Sequence, residues 1–193
     1  MTIVFASSNK NKIQEIQAML PTTITILSLE NIGCSEDIPE TAETIEGNAI
    51  LKANYIIERY GYDCFADDSG LEIAALNGEP GVYSARYAGS QRNAEDNMNQ
   101  VLENLKDKTD RSAQFKTVIA LHLNGQHHLF TGIIKGQITT EKSGNQGFGY
   151  DPIFRPEGYQ KTFAEFSLEE KAKISHRGLA VKQLIDFLHD SGI

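Results

Sequence analysis

The dipeptide Asn124-Gly125, set between two long alternating runs, constrains the fold of this chain more than any other feature. A two-residue type I′ turn needs positive φ at both central positions, and Asn followed by Gly is the pair that tolerates it best. The runs on either side, Ala113 to Leu123 and His127 to Ile138, are therefore predicted to form a hairpin of two long strands. Around this hairpin the chain reads as an α/β fold, one long mixed β-sheet flanked by helices.

The remaining elements follow from periodicity and punctuation. Ile3 to Ala6 is a short apolar run suited to a buried strand, and the polar turn Ser7-Ser8-Asn9 comes after it. Ile13, Ile16 and Leu20 mark a helix that Pro21 stops, and Thr23 to Leu29 alternates as a second strand. Ala49, Ala53, Ile56 and Ile57 form the stripe of a second helix ending at Gly61. Cys64 to Ala66 is predicted as a strand that runs into the turn-like Asp67-Asp68-Ser69-Gly70, with a strand resuming over Leu71 to Ile73. Gly78 to Gly89 reads as loop, Asn93 to Leu105 as helix, and Ser143 to Gly149 as a glycine-rich loop. Pro152 to Phe154 is a candidate short strand, and the last helix is expected over Gly178 to Leu188.

Composition limits what such a fold can do. With 193 residues the chain is long enough for one domain, or two lobes sharing a core. Its formal net charge of −8 argues against a nucleic-acid polymer as partner, since a phosphate backbone needs a basic face. A single nucleotide is not excluded, because a few lysines and a divalent cation suffice for a triphosphate. No stretch approaches the roughly 18 apolar residues of a membrane span, and Met1 to Ala6 lacks the features of a secretory signal. Cys34 and Cys64 stand far apart without metal-ligand spacing, as in a reduced cytoplasmic protein. His122, His127, His128 and His189 lack metal-like partners, and His127 and His128 are expected to be solvated.

Four clusters carry residues suited to chemistry. Ser7-Ser8-Asn9-Lys10-Asn11-Lys12 stands between a buried strand and a helix start, where backbone N–H groups and cationic side chains attract anions. The same residues also fit an ordinary helix cap. Glu40, Asp67 and Asp68 supply the hard oxygen donors that Mg²⁺ takes, although paired aspartates also make simple solvated turns. Since neighbouring strand residues face opposite ways, one aspartate is expected at the metal and the other behind it. Gly144 to Pro152 combines close backbone approach with the Phe148 ring and the Asp151 carboxylate; a core-packed aromatic turn is the alternative. Lys171, with Ser175-His176-Arg177-Gly178 before the last helix, offers cations and donors for phosphate or a base edge, or a solvated basic helix end.

Taken together, these clusters resemble the inosine triphosphatase family of pyrophosphatases acting on non-standard purine nucleoside triphosphates. The stretches that carry the resemblance are Ser7-x-Asn9-x-x-Lys12, Glu46-Gly47-Asn48-Ala49-x-x-Lys52-Ala53, Ala66 to Leu71, Gly81 to Gly89, Gly147 to Phe154 and Ser175 to Gly178. The resemblance implies a single domain over 1–193 with two lobes and the active-site cleft between them, working as a homodimer. It implies that Ser7, Ser8, Asn9, Lys10, Asn11 and Lys12 hold the triphosphate. Glu40 and Asp68 would bind Mg²⁺, with Asp68 also the general base toward water and Ser69 touching substrate beside the metal. Phe148, Gly149, Tyr150 and Asp151 would stack and orient the base, while Lys171, His176 and Arg177 complete the nucleotide pocket. Lys52 and Arg86 are further candidates for the phosphates or the metal site.

The implied reaction cleaves ITP, dITP or XTP to the monophosphate and pyrophosphate in one step, without a covalent intermediate. Hypoxanthine and xanthine present a keto acceptor at position 6, to which Arg177 or His176 could donate, whereas adenine presents a donor there. Related Maf-type pyrophosphatases carry a Ser-Pro-Arg-Arg-like loop, which is replaced here by Ser8-Asn9-Lys10. A non-catalytic nucleotide sensor would have no need of Glu40 and Asp68 together with the lysines.

Overall fold

The computed structural model describes residues 1–192. Six strands form one sheet in the order β2-β1-β3-β4-β5-β6 among the described residues. They are β1 (Thr2–Phe5), β2 (Thr25–Leu27), β3 (Cys64–Ile73), β4 (Ser112–Leu123), β5 (Gln126–Ile138) and β6 (Phe154–Pro156). β1 runs parallel to β2 and to β3, and β5 pairs antiparallel with β6, so the sheet is mixed. The predicted hairpin joins β4 to β5, and Asn124 and Gly125 both hold positive φ, at 51° and 77°.

The helices are α1 (Lys10–Met19), α2 (Ile45–Tyr60), α3 (Ala94–Asn104), α4 (Leu168–Ile174) and α5 (His176–Asp190). Each of the first three begins at a side chain that accepts from orphan backbone N–H groups: Asn9, Thr44 and Asn93. Leu20, followed by Pro21, ends α1, and Gly61 ends α2.

Several expectations are corrected. β3 is unbroken, so Asp67 and Asp68 lie inside a strand rather than at a turn. β2 is three residues long, shorter than Thr23 to Leu29. A 3₁₀ helix over Gly81–Arg86 occupies part of the expected Gly78–Gly89 loop. Pro152 and Ile153 belong to a 3₁₀ turn, and the short strand starts only at Phe154. α4 was not anticipated, and α5 starts at His176, which places His176 and Arg177 in its first turn rather than ahead of it. His128 is half-buried with its ring 4.2 Å from that of Phe187, and only His127 of that pair is exposed.

Contacts divide the chain into two compact units. The first comprises residues 1–68, 117–132 and those from 177 onward. Its core gathers Ile3, Phe5, Ile16, Phe65, Ile119, Leu121, Phe130, Val181, Leu184 and Leu188, with the Phe5 and Phe65 rings stacked at 4.8 Å. The second comprises 69–116 and 133–176. Leu71, Ile73, Met98, Val101, Leu105, Phe115, Phe154 and Phe163 fill its core, with Phe154 4.6 Å from Phe115 and 5.2 Å from Phe163. Buried aromatic and aliphatic side chains contribute about 1.5–3 kcal/mol each, so each unit holds its own strand segments in place. Both cysteines are free and buried.

Candidate functional site

In the first unit, the alternation of β3 sends its two aspartates to different environments. Asp67 is fully buried, and Lys12 Nζ lies 3.1 Å from each of its carboxylate oxygens. Arg177 Nε donates to Asp67 Oδ2 at 3.3 Å, and Arg177 Nη1 donates to the Glu15 carboxylate. Glu15, Asp67 and Arg177 are all less than 10% exposed. Burial alone would raise the Asp67 carboxyl, but the charges of Lys12, Arg177 and Lys52 outweigh it and hold the group far below the ordinary carboxylate range. Asp67 is thus an anion committed to neighbouring cations.

Asp68 is different. Its Oδ2 is buried and has no hydrogen-bond partner among the described residues. Burial pushes its carboxyl up, against the pull of Lys52 and Lys12, and Glu40 and Asp67 add to the rise. Lys52, from the middle of α2, donates to Glu40 Oε1 and to the Asp67 carbonyl, both at 2.7 Å, and lies 3.9 Å from Asp68 Oδ1. Although burial opposes its charge, Asp68, Asp67 and Glu40 together leave the Lys52 ammonium harder to deprotonate than usual. Glu40 and Asp68 therefore flank one cation.

No group of three or more His, Cys, Asp or Glu side chains with metal-holding geometry occurs among the described residues. Two carboxylates are nevertheless enough for Mg²⁺, which keeps waters and takes substrate phosphates for its other positions. The buried, unpartnered Asp68 Oδ2 beside Glu40 fits that demand.

The start of α1 completes this unit's cluster. Asn9 Oδ1 accepts from the N–H groups of Asn11 and Lys12 at 3.0 and 3.2 Å, so it serves as the helix cap. Two of the donors expected to meet an anion are thereby used. Ser7 is partly exposed, while Ser8, Lys10 and Asn11 are exposed.

The second unit holds the aromatic and carboxylate cluster. Lys171, 4% exposed, donates to Asp151 Oδ2 at 2.6 Å, and the same oxygen accepts from the Phe148 N–H at 2.9 Å. The Lys171 ammonium lies 5.0 Å from the centre of the partly exposed Phe148 ring. Tyr150 is buried, and its hydroxyl donates to the Ser84 carbonyl at 2.7 Å. Gly149 is partly exposed, as is Ser69 on β3. His176 lies stacked on Phe115 with ring centres 4.6 Å apart and planes 11° from parallel. Arg86 lies 5.3 Å over the Tyr83 ring.

Gly147 shows how tightly this loop is built. Its φ is +70°, and a Cβ there would stand 2.0 Å from Asp151 Oδ2. Gly147→Ala is expected to destabilise the protein by about 1–2 kcal/mol from the left-handed backbone alone, with a further loss as Asp151 is displaced. Thermal unfolding measures it, and an unchanged midpoint would show that the loop yields freely.

Of the residues singled out in the sequence, the structure gathers Lys12, Asp67 and Arg177 into one buried ion network and Glu40, Lys52 and Asp68 into another contact set. It separately gathers Phe148, Asp151 and Lys171. His176 and Arg177 are adjacent in sequence yet serve different surroundings, one in an aromatic stack and one between carboxylates. Sequence reasoning missed Glu15. The available signal was its position three residues after Lys12 on α1, which puts both on one face.

Comparison with known proteins shows the family. The Ham1 family pattern matches residues 3–187. A dITP/XTP pyrophosphatase of Flavobacterium psychrophilum is 71% identical over 187 residues, covering 97% of this chain and 98% of that protein. One from Porphyromonas gingivalis is 52% identical over 187 residues, covering 96% of each chain. Among solved structures, the Ham1 protein of Staphylococcus aureus superposes with a TM-score of 0.91 at 41% identity, covering 99% of this chain and 100% of that one. The Ham1 protein of Coxiella burnetii gives 0.91 at 42% identity, covering 98% and 99%. Sequence, fold and the order of the site residues thus lead to one conclusion: the chain belongs to the Ham1 family.

Proposed function

We propose that this chain hydrolyses non-standard purine nucleoside triphosphates (ITP, dITP and XTP) at the α–β phosphoanhydride, releasing the monophosphate and pyrophosphate and keeping these nucleotides out of DNA and RNA. The observation that carries the reading is the buried Asp68 oxygen without a hydrogen-bond partner, set beside Lys52 and Glu40. A carboxylate kept desolvated without a partner has a cost in stability that a fold tolerates where function uses it. Relatives that are 71% and 52% identical are named dITP/XTP pyrophosphatases, which supports the choice of substrate.

In this reading Asp68 accepts the proton of the attacking water. Asp67 is unsuited to that role, since Lys12 and Arg177 occupy its oxygens. Glu40 and Asp68 would hold Mg²⁺, which when bound neutralises charge developing on the phosphates. Lys12 and Lys10, with the hydroxyls of Ser7 and Ser8 and the side-chain amides of Asn9 and Asn11, hold the triphosphate, and Ser69 touches it beside Asp68. Lys52 keeps Glu40 and Asp68 close without closing the gap between them. Phe148 offers its ring to the base, and Lys171 with the Phe148 N–H fixes the Asp151 carboxylate that orients it, with Gly149 and Tyr150 shaping the loop. Either His176 or Arg177 would supply a donor to a 6-keto oxygen; an adenine amino group there would leave donor facing donor. A site that hydrogen-bonds one group can reject its analogue by roughly 10⁴-fold, which matters where ATP is abundant.

The test is pyrophosphate release from ITP, XTP, GTP, ATP and dTTP, each with and without Mg²⁺. Fast release from ITP and XTP that requires Mg²⁺, with ATP left intact, is the expected result. Preference for dTTP would favour a Maf-type activity, and binding without release would favour a nucleotide sensor. The proposal extends to a homodimer working in the cytoplasm without a nucleic-acid polymer or membrane as partner; no helix among the described residues is long and apolar enough to cross a bilayer. Sedimentation velocity measures the dimer.

A further inference from the structure

Residues 34–44 form neither helix nor strand. Glu40 lies in this stretch, so its position depends on what the stretch is tied to. The later turns of α2 tie the stretch at Glu36, whose Oε1 accepts from the Tyr55 and Tyr60 hydroxyls at 2.9 and 3.1 Å, and the earlier turns tie it nearer Glu40. Asn48 is 1% exposed, and its Oδ1 accepts from the Ala42 N–H at 2.9 Å. One turn later on the same face, Lys52 donates to Glu40 Oε1 at 2.7 Å. Between the helix and the loop there is no spare room: a Cβ on Gly47 would stand 2.7 Å from Ala42 Cβ and 3.0 Å from Thr44 Oγ1. Gly and Asn are both poor helix formers, yet they occupy the first turns of a helix that otherwise begins well, with Thr44 accepting from the Gly47 N–H at 3.0 Å. Their placement is explained by the loop they touch.

We propose that Asn48, with Gly47 beside it, is a positioning residue that pins Ala42 and thereby fixes where the Glu40 carboxylate stands to receive a divalent cation. This rests on the reading of Glu40 as a metal ligand given above. Asn48 does not touch the cation; it acts through Thr41, the one residue that separates Ala42 from Glu40. Lys52 restrains the tip of the Glu40 side chain, and Asn48 restrains its backbone, so loss of either tie widens the range the carboxylate samples.

The experiment measures Mn²⁺ binding to the full chain, without nucleotide, from the electron paramagnetic resonance signal of free Mn²⁺. Wild type is compared with Glu40→Gln, Asn48→Ala, Gly47→Ala and the Glu40→Gln/Asn48→Ala double variant. Groups that orient a metal ligand commonly cost 10–100-fold in affinity when removed, and Asn48→Ala is expected to weaken Mn²⁺ binding by about tenfold. Gly47→Ala should weaken it too, because its Cβ displaces Ala42; a role confined to the stability of α2 predicts a changed melting midpoint with Mn²⁺ affinity unaltered. It also keeps Asn48, so it reads the same displacement should Asn48→Ala fail to fold. The double variant should bind no more weakly than Glu40→Gln alone, because the positioned group is already gone. Wild-type affinity in either positioning variant, with Glu40→Gln weakened, overturns the proposal and leaves the metal reading standing. Additive losses in the double variant overturn it as well. Wild-type affinity in Glu40→Gln removes the metal reading and the proposal with it.

Discussion

Asp68→Asn is expected to lower turnover of ITP by about 10²–10⁴-fold, the usual contribution of a positioned general base. Asparagine has nearly the same shape, so packing at this buried position of β3 is retained. What is lost is the ability to accept a proton and one of the three carboxylates around Lys52. Nucleotide affinity should change far less, since Lys12, Phe148 and the Asp151–Lys171 pair are untouched. Single-turnover hydrolysis and equilibrium binding of ITP to the same variant separate the two effects. Turnover above a tenth of wild type would remove Asp68 from the role of base. The neighbouring substitution sharpens the contrast. Asp67→Asn should be felt chiefly in stability, because that carboxylate is held between Lys12 and Arg177.

Arg177→Ala is expected to destabilise the protein by about 3–5 kcal/mol, the range found when one partner of a buried ion pair is removed. Its guanidinium is 2% exposed and contacts both Glu15 and Asp67. Without it Glu15 keeps a buried charge and loses its contact with the guanidinium, and Asp67 retains Lys12. At about 2–4 °C per kcal/mol for a chain of this size, the melting midpoint should fall by about 6–20 °C. Denaturant unfolding checks the free energy directly; a loss under 1 kcal/mol would show that the site relaxes or hydrates. The pH dependence has a definite sign. Asp67 is depressed in the folded protein, so its contribution is fully present above the unfolded value of about 3.9 and is lost as pH falls through the lower folded value. In the variant that depression is smaller, so acid should unfold it at a higher pH than wild type.

Most of the scaffold was legible because its signals are local. Asn124-Gly125 fixed a hairpin, Pro21 and Gly61 stopped helices, and apolar spacing located α1, α2 and α3. The failures have local causes too. Asp67-Asp68-Ser69-Gly70 has turn composition, yet two buried aspartates with cationic partners let β3 continue through it. Ser167 and Glu170 form a capping box at the start of α4, but the helix after it is only seven residues long, too short for apolar spacing to mark it. At the candidate site, residue types pointed to side chains suited to chemistry but not to how they pair. The commitment of Arg177 to Glu15 spans 162 positions and leaves no trace in spacing. That Asp67 and Asp68 meet different surroundings follows from strand alternation, but the identity of each one's partners required coordinates.

The order of the two units along the chain bears on how the protein is made. Synthesis proceeds from the N-terminus, and domains ordinarily fold as they emerge from the ribosome. Here the unit that contains Met1 is the last that can close, because Ala180, Val181, Leu184 and Leu188 of α5 belong to its core. Residues 69–116 and 133–176 have all been translated before Arg177 appears. During that interval Phe5, Phe65 and Ile119 lack the helix that covers them, and Asp67 lacks its guanidinium. A nascent chain stalled just before α5 therefore exposes apolar surface of the kind chaperones bind, and loss of α5 would undo a core built on residues that lie far before it in the sequence.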